Sequence, residues 1–254
     1  MTEGALHLPA DLAAAVRAAG HLVVLTGAGM SAESGVPVFR GQGGLWEGFR
    51  PEDLATPQAF GRDPERVWRW YRWRLDRVRE AQPHAGHRAL AALERDGGFE
   101  RFTLVTQNVD AMHQRAGNRS VIELHGTITR AHCEAGCGRT AEAHEVDPAA
   151  ALCACGRGRL RPSVVWFGES LPADAMDEAA EALEQADMAW VVGTSSVVYP
   201  AAALPGIAAR RGVPVVEVNP EETPLTGQLP YSLRSSASAG LVALARARLG
   251  EREF

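Results

Sequence analysis

The segment Gly27-Ala28-Gly29-Met30-Ser31-Ala32 follows an apolar run and fits the pattern Gly-x-Gly-x-x-Gly/Ala. Glycines in such a turn let backbone N–H groups close on a pyrophosphate at a helix N-terminus. Alone the motif is weak, because a glycine-packed strand-to-helix turn has the same letters. A dehydrogenase would also end a second strand with an acidic residue about 20 residues further on. Here that interval reads ESGVPVFRGQGGLWEG, a Gly- and Pro-rich loop, so a dinucleotide is compatible with the sequence but hydride transfer is not supported. Four other sites follow apolar, β-branched runs: Gln107, Asn108 and Asp110; His125; Gly193, Thr194 and Ser195; and Asn219 with Glu221. Amides, hydroxyls and small residues suit ribose hydroxyls and phosphates, while His125 and Asp110 offer proton transfer and a partner for a carboxamide. Any single one is also explained as the cap of the next helix. Agreement at four strand ends points to a ligand at the carboxyl edge of a sheet.

Those positions need strands at 21–25, 102–106, 121–124, 189–192 and 214–218. Each is nearly continuous in apolar residues, as in strands buried on both faces of a parallel sheet. Helical patterns at 9–19, 64–80, 84–95, 173–186, 200–211 and 236–249 alternate with them. The expected class is α/β, a Rossmann-like doubly wound parallel sheet. Segment 41–83 is helical and aromatic-rich, and 131–162 holds all four cysteines with little periodicity. Both read as insertions that pack into a smaller second domain. That divides the chain into 1–40, 84–130 and 163–254 against 41–83 and 131–162, with a ligand expected in the cleft between them. A length of 254 residues suits this size, and a net charge of -5 argues against nucleic-acid binding through phosphates. No apolar run reaches the roughly 18 residues of a membrane span, and the first residues lack a secretory pattern, so a cytoplasmic protein is expected. All 26 basic side chains are Arg. Without Lys there is no Schiff-base, pyridoxal-phosphate or P-loop chemistry.

The residues 27–40, Gly27-Ala28-Gly29-Met30-Ser31-Ala32-Glu33-Ser34-Gly35-Val36-Pro37-Val38-Phe39-Arg40, then Gly44-Leu45-Trp46, resemble the opening signature of the sirtuins, NAD-dependent protein-lysine deacylases. Thr106-Gln107-Asn108-Val109-Asp110 with His113 and Ala116-Gly117 is similar to the family's second block. Leu124-His125-Gly126 resembles its catalytic-histidine block, Val164-Val165-Trp166-Phe167-Gly168-Glu169 its substrate-binding strand, and Gly193-Thr194-Ser195 a later NAD contact. The resemblance implies that NAD is a consumed co-substrate. The acyl oxygen attacks C1′ of the nicotinamide ribose, and the products are nicotinamide, O-acyl-ADP-ribose and free lysine. His125 matches the general base, and Asn108 and Asp110 the residues that orient the ribose and hold the carboxamide. Gly27, Ala28, Gly29, Ser31, Ala32, Glu33, Phe39, Arg40, Trp46 and Gln107 match the cofactor loop and its contacts. Gly193, Thr194 and Ser195 match the later contact, and Ser195, Asn219, Glu221 and Ala237 fall on the adenosine side. Val165, Trp166, Phe167 and Gly168 would pair with an extended acyl-lysine peptide. A mono-ADP-ribosyltransferase and a silent NAD-sensing or protein-binding module are the alternatives. The intact His125 and Asn108 favour deacylation.

Cys133-x3-Cys137, fifteen residues, then Cys153-x-Cys155 is close to the family's structural Zn²⁺ pattern, though neither half has the two-residue spacing. A degenerate, metal-free site, with His132 or His144 as substitute ligands, is the alternative; disulfides are disfavoured in a cytoplasmic protein. The smaller domain is therefore expected to be zinc-binding and helical. Tyr71 and Arg74 stand three apart on one helix face, in a context that resembles the class III sirtuins. There the pair binds the distal carboxylate of succinyl- or malonyl-lysine, and a small residue matching Ala55 makes room for the acyl chain. The resemblance thus implies desuccinylation and demalonylation in preference to deacetylation.

Overall fold

Helix α1 (Ala10–Ala18) leads into β1 (His21–Thr26), whose six residues are all buried. Burial on both faces explains why the run has no polar alternation. The computed structural model describes residues 6–38, 48 and 50–254. After β1 come α2 (Gly29–Ala32), α3 (Pro51–Leu54), α4 (Pro57–Arg62), α5 (Pro64–Glu80) and α6 (Ala85–Asp96). The chain continues through β2 (Arg101–Thr106), α7 (Met112–Ala116), β3 (Val121–Glu123), β4 (Gly126–Cys133), β5 (Thr140–Glu142) and β6 (Leu160–Val164). It ends with α8 (Ala173–Gln185), β7 (Met188–Val192), α9 (Pro205–Arg210), β8 (Val215–Val218), β9 (Tyr231–Leu233) and α10 (Ala237–Leu249).

Six strands form one parallel sheet in the order β3-β2-β1-β7-β8-β9. Successive side chains of β1 feed opposite layers. Leu22 and Val24 pack with Leu12, Val16, Leu90, Leu93, Leu241 and Leu244 from α1, α6 and α10. Val23 and Leu25 pack with Ala182, Leu183 and Ala208 from α8 and α9. Each such buried Leu or Val contributes about 1.5–3 kcal/mol. All six strands point their carboxyl ends to one edge, where the loops after β1, β2, β3 and β7 converge.

The second sheet is antiparallel, in the order β5-β4-β6. Its Ile128, Ala131 and Val164 share a core with Leu54, Phe60, Trp68, Tyr71 and Leu75 of the helices α3, α4 and α5. Asp63 caps α5 by accepting the Arg66 N–H at 2.9 Å, and Pro64 occupies the first turn, where its missing N–H costs nothing. Guanidinium groups close several helix ends and turns. Arg248 stacks on Phe99 and donates to the Val16, Gly97 and Gly98 carbonyls, and Arg115 donates to those of Val78 and Ala81.

Three elements differ from expectation. Segment 131–162 contains strands: β4 enters it from Gly126, β5 lies within it and β6 starts in it. The helix expected over 200–211 is a 3₁₀ turn at Ala201–Ala203 followed by α9, which Pro205 opens. The parallel sheet also has an extra edge strand, β9. No described helix is long and apolar enough to cross a membrane.

Candidate active site

The β1–α2 loop lies directly on the loop after β7. Gly27 N–H donates to the Val192 carbonyl at 3.0 Å and Gly29 N–H to that of Gly193 at 2.8 Å. A Cβ on Gly29 would meet the Gly193 backbone at 2.9 Å, and Gly193 itself has φ +59, so both positions require glycine. Thr194 then gathers its neighbours. Gln107 Nε2 donates to its hydroxyl at 3.2 Å, and Asn219 Nδ2 to its carbonyl at 3.0 Å. Glu221 donates its N–H to Asn219 Oδ1 at 3.1 Å. Glu33 turns to the start of α10, accepting the Ser238 N–H at 2.9 Å beside buried Ala237. Ser195 is exposed and adjoins this cluster. Phe39, Arg40 and Trp46 lie outside the described residues.

Asn108 and Asp110 are buried where β2 ends. Asn108 Nδ2 donates to the Gly27 carbonyl at 3.0 Å and to Ser31 Oγ at 3.3 Å, so its Oδ1 is the atom left to accept from a ligand. Asp110 Oδ1 accepts the Met112 N–H at 2.9 Å across Ala111, which adopts a left-handed φ of 57. Burial raises the Asp110 carboxyl above its ordinary range, against the pull of Met112 N–H, Ser31 and Arg74. His125 is half-buried at the end of β3. Its Nδ1–H donates to the Gln107 carbonyl at 2.9 Å, which leaves Nε2 with the lone pair. Burial lowers its pKa, partly offset by that hydrogen bond, so the ring is a neutral base near pH 7.

A cavity of about 450 Å³, including its mouth, is lined by Ala28, Ser31, Asn108, Asp110, Arg74 and Arg77, among others. Arg74 is thus brought to the same space as the ribose and carboxamide candidates. Ala55, Tyr71 and His125 do not line it. Arg74 is only 9% exposed, and its guanidinium lies 4.8 Å from the Trp70 ring centroid and 5.5 Å from that of Tyr71. Burial lowers its pKa, while Tyr71 and Asp110 favour the charge. Trp166 Nε1 donates to Tyr71 Oη at 2.9 Å. That phenol oxygen is therefore an acceptor from the indole, and its own proton is directed elsewhere.

The segment expected as a strand over Val165–Gly168 lies just beyond β6, which ends at Val164. Its N–H groups are largely committed within the protein. Val165 donates to the His125 carbonyl at 2.9 Å, Phe167 to that of Ala55 at 2.9 Å, and Trp166 to Glu169 Oε2 at 2.8 Å. The edge offered to a peptide is narrower than the sequence implied, because these bonds and the left-handed Gly168 (φ +87) turn the chain away.

The four cysteine sulfurs lie within 4.8 Å of one another, two on each side of the turns flanking the small sheet. Cys133–Cys155 and Cys137–Cys153 are each 3.7 Å apart, far beyond a disulfide bond. A Zn–S bond of about 2.3 Å makes the edge of a thiolate tetrahedron about 3.8 Å, so the set fits Zn²⁺ despite its irregular spacing. The Arg157 N–H that Cys155 accepts at 3.4 Å lowers that thiol, and the neighbouring cysteines add to the shift while Cys153 is raised. His132 instead contacts Ser163 Oγ at 3.0 Å, and neither it nor His144 joins the cluster.

Sequence reasoning passed over two side-chain hydrogen-bond clusters. Arg161 stacks 3.4 Å over the Trp166 ring and grips Glu169 through two hydrogen bonds of 2.5 and 2.9 Å. Glu217, within β8, is 1% exposed and accepts hydroxyls from Thr226 at 2.7 Å and Ser232 at 2.9 Å, and also from Thr223. A lone acid among valines was the available signal for Glu217; nothing local marked Arg161.

Residues 27–200 match the Sir2 family. The chain is 51% identical over 229 residues to NAD-dependent protein deacylase 1 of Archaeoglobus fulgidus, covering 89% of this chain and 92% of that protein. It is 52% identical over 225 residues to the NAD-dependent protein deacylase of Aquifex aeolicus, covering 87% and 92%. Among solved structures, a Sir2 homolog–NAD complex aligns with a TM-score of 0.86 at 48% identity, covering 94% of this chain and 93% of that chain. A Sir2–p53 peptide–NAD+ complex aligns at 0.81 and 33% identity, covering 92% and 96%.

Proposed function

Because the chain belongs to the Sir2 family and is an NAD-dependent protein deacylase acting on protein or peptide substrates, we propose that its acyl pocket prefers succinyl- or malonyl-lysine to acetyl-lysine. We read 1–40, 84–130 and 163–254 as the NAD-binding part and 41–83 with 131–162 as the module that completes the pocket. NAD supplies a glycosidic bond whose cleavage frees nicotinamide and leaves the ribose open to the acyl oxygen. In this reading the loop from Gly27 to Ser31 and the Thr194 cluster hold the dinucleotide. Asn108 Oδ1 accepts from the ribose, and Asp110 faces the carboxamide. His125, with its tautomer set by Gln107, takes a ribose hydroxyl proton at Nε2. The cysteines hold a structural Zn²⁺, whose closed shell leaves no open position for catalysis.

The acyl preference is carried by one observation: Arg74, nearly buried, lines the same cavity as Asn108 and Asp110. A guanidinium presents a planar fork to a distal carboxylate, and Tyr71, one helical turn away and outside the cavity lining, favours the charge on that guanidinium. A neutral acetyl group offers this guanidinium no fork to bind, so discrimination arises from the attraction it forgoes. The test is kcat/KM on one peptide carrying succinyl-, malonyl- or acetyl-lysine. Arg74→Met should cost desuccinylation about 1.5–3 kcal/mol of transition-state binding and deacetylation much less. Equal losses on all three would make Arg74 a packing residue and end the proposal.

A further inference from the structure

The backbone ladder of the parallel sheet runs out at Thr26 and Thr106, which are register partners at the ends of β1 and β2. Beyond them Gln107 N–H still reaches the Thr26 carbonyl at 2.9 Å, but Asn108 N–H has no strand partner and donates to Thr106 Oγ1 at 3.0 Å. Thr106 Oγ1 in turn accepts from Thr26 Oγ1 at 2.8 Å, and Thr26 Oγ1 lies 2.9 Å from His113 Nε2. Since the Thr26 proton is given to Thr106, His113 Nε2–H is the donor to Thr26. All four residues are buried, Thr26 completely. His113 sits on α7, the helix whose first turn is capped by Asp110. The bonds form an open circuit from Asn108 through both threonines to His113, which the α7 backbone joins to Asp110.

We propose that Thr26, Thr106 and His113 are positioning residues that fix the Asn108 backbone N–H, and through it the side-chain amide, for the ribose-directed step. This rests on the reading of Asn108 given above. None of the three faces the ligand: each acts through the orientation of the next. Burial keeps the His113 ring neutral, so the circuit holds one arrangement across the working pH range.

Thr26→Val preserves shape and removes the hydroxyl, whereas Thr26→Ser keeps it. Thr26→Val should lower kcat/KM for NAD roughly tenfold, the cost of about one hydrogen bond, with KM for the acyl peptide unmoved. Thr26→Ser should stay close to the parent. The dissociation constant for NAD, measured by calorimetry, supplies a second readout in backgrounds too slow for kinetics. In an Asn108→Ala background Thr26→Val should add nothing to either measurement, because its effect passes through Asn108. Thr106→Val and Thr106→Ser should repeat the pattern. If the Val and Ser variants behave alike, or if the Thr26→Val loss persists without Asn108, the circuit is only structural. If Asn108→Ala itself leaves activity and NAD binding intact, the reading of Asn108 fails instead.

Discussion

At His125 a single carbonyl decides which nitrogen can act. With Nδ1–H committed to Gln107, the unprotonated Nε2 is the nitrogen that can take a proton, and protonation there removes that capacity. Burial disfavours the imidazolium, so the folded pKa lies below the 6.5 of a free imidazole side chain. The active form therefore persists as pH falls through 6.5 and is lost only as pH reaches the lowered value. A profile of kcat/KM between about pH 5 and 8 should place its acid limb below that of free imidazole. An acid limb at or above 6.5 would contradict the burial argument. The neighbouring side chains show how much of a site is visible in a sequence. Gly29, Asn108 and His125 were legible because each ends or follows an apolar run. Thr26 and Glu217 were not: a polar residue inside a strand shows its purpose only once the partners that satisfy it are known.

Helices α6 and α7 carry a buried histidine pair, His87 and His113, with ring centroids 5.2 Å apart. Neither nitrogen of His87 has a hydrogen-bond partner among the described residues. Burial, with the neighbouring histidines adding repulsion, pushes their pKa values down to about 2 for His87 and about 3 for His113. Unfolded, both take up a proton near 6.5. Stability is therefore intact above 6.5 and is lost as pH falls from there toward 3, each ring costing the folded state about 1.4 kcal/mol per pH unit. Melting temperature against pH should drop steeply over that window, and His87→Leu should flatten the drop; an unchanged slope would refute the assignment. The same scale explains what periodicity missed. In β4 a bulge between Gly126 and Ala131 shifts the phase, so buried Ile128 and Ala131 stand three apart and the alternation disappears. β9 has three residues, too few for any pattern, and Pro205 splits what reads as one helix. The parallel strands escaped these problems because burial on both faces needs no phase.

Across the molecule, the cysteine cluster and the helix that bears Arg74 share one core. The small sheet that the four sulfurs tie together shares its core with α5, which bears Tyr71 and Arg74. Removing Zn²⁺ with a strong chelator should release one ion per chain, lower the melting temperature and abolish deacylation, although the metal takes no part in the chemistry. Zinc-free protein that stays folded and active by elemental analysis and assay would defeat this. The other global feature is the arginine-only surface and its guanidinium-capped helix ends, Arg248 and Arg115 among them. A catalyst for acyl-lysine that holds no lysine side chain is never its own substrate. Reactive acyl donors cannot write on it the mark that it erases, so its output does not fall as acylation around it rises. Any acyl-lysine left in a purified reaction belongs to the substrate alone.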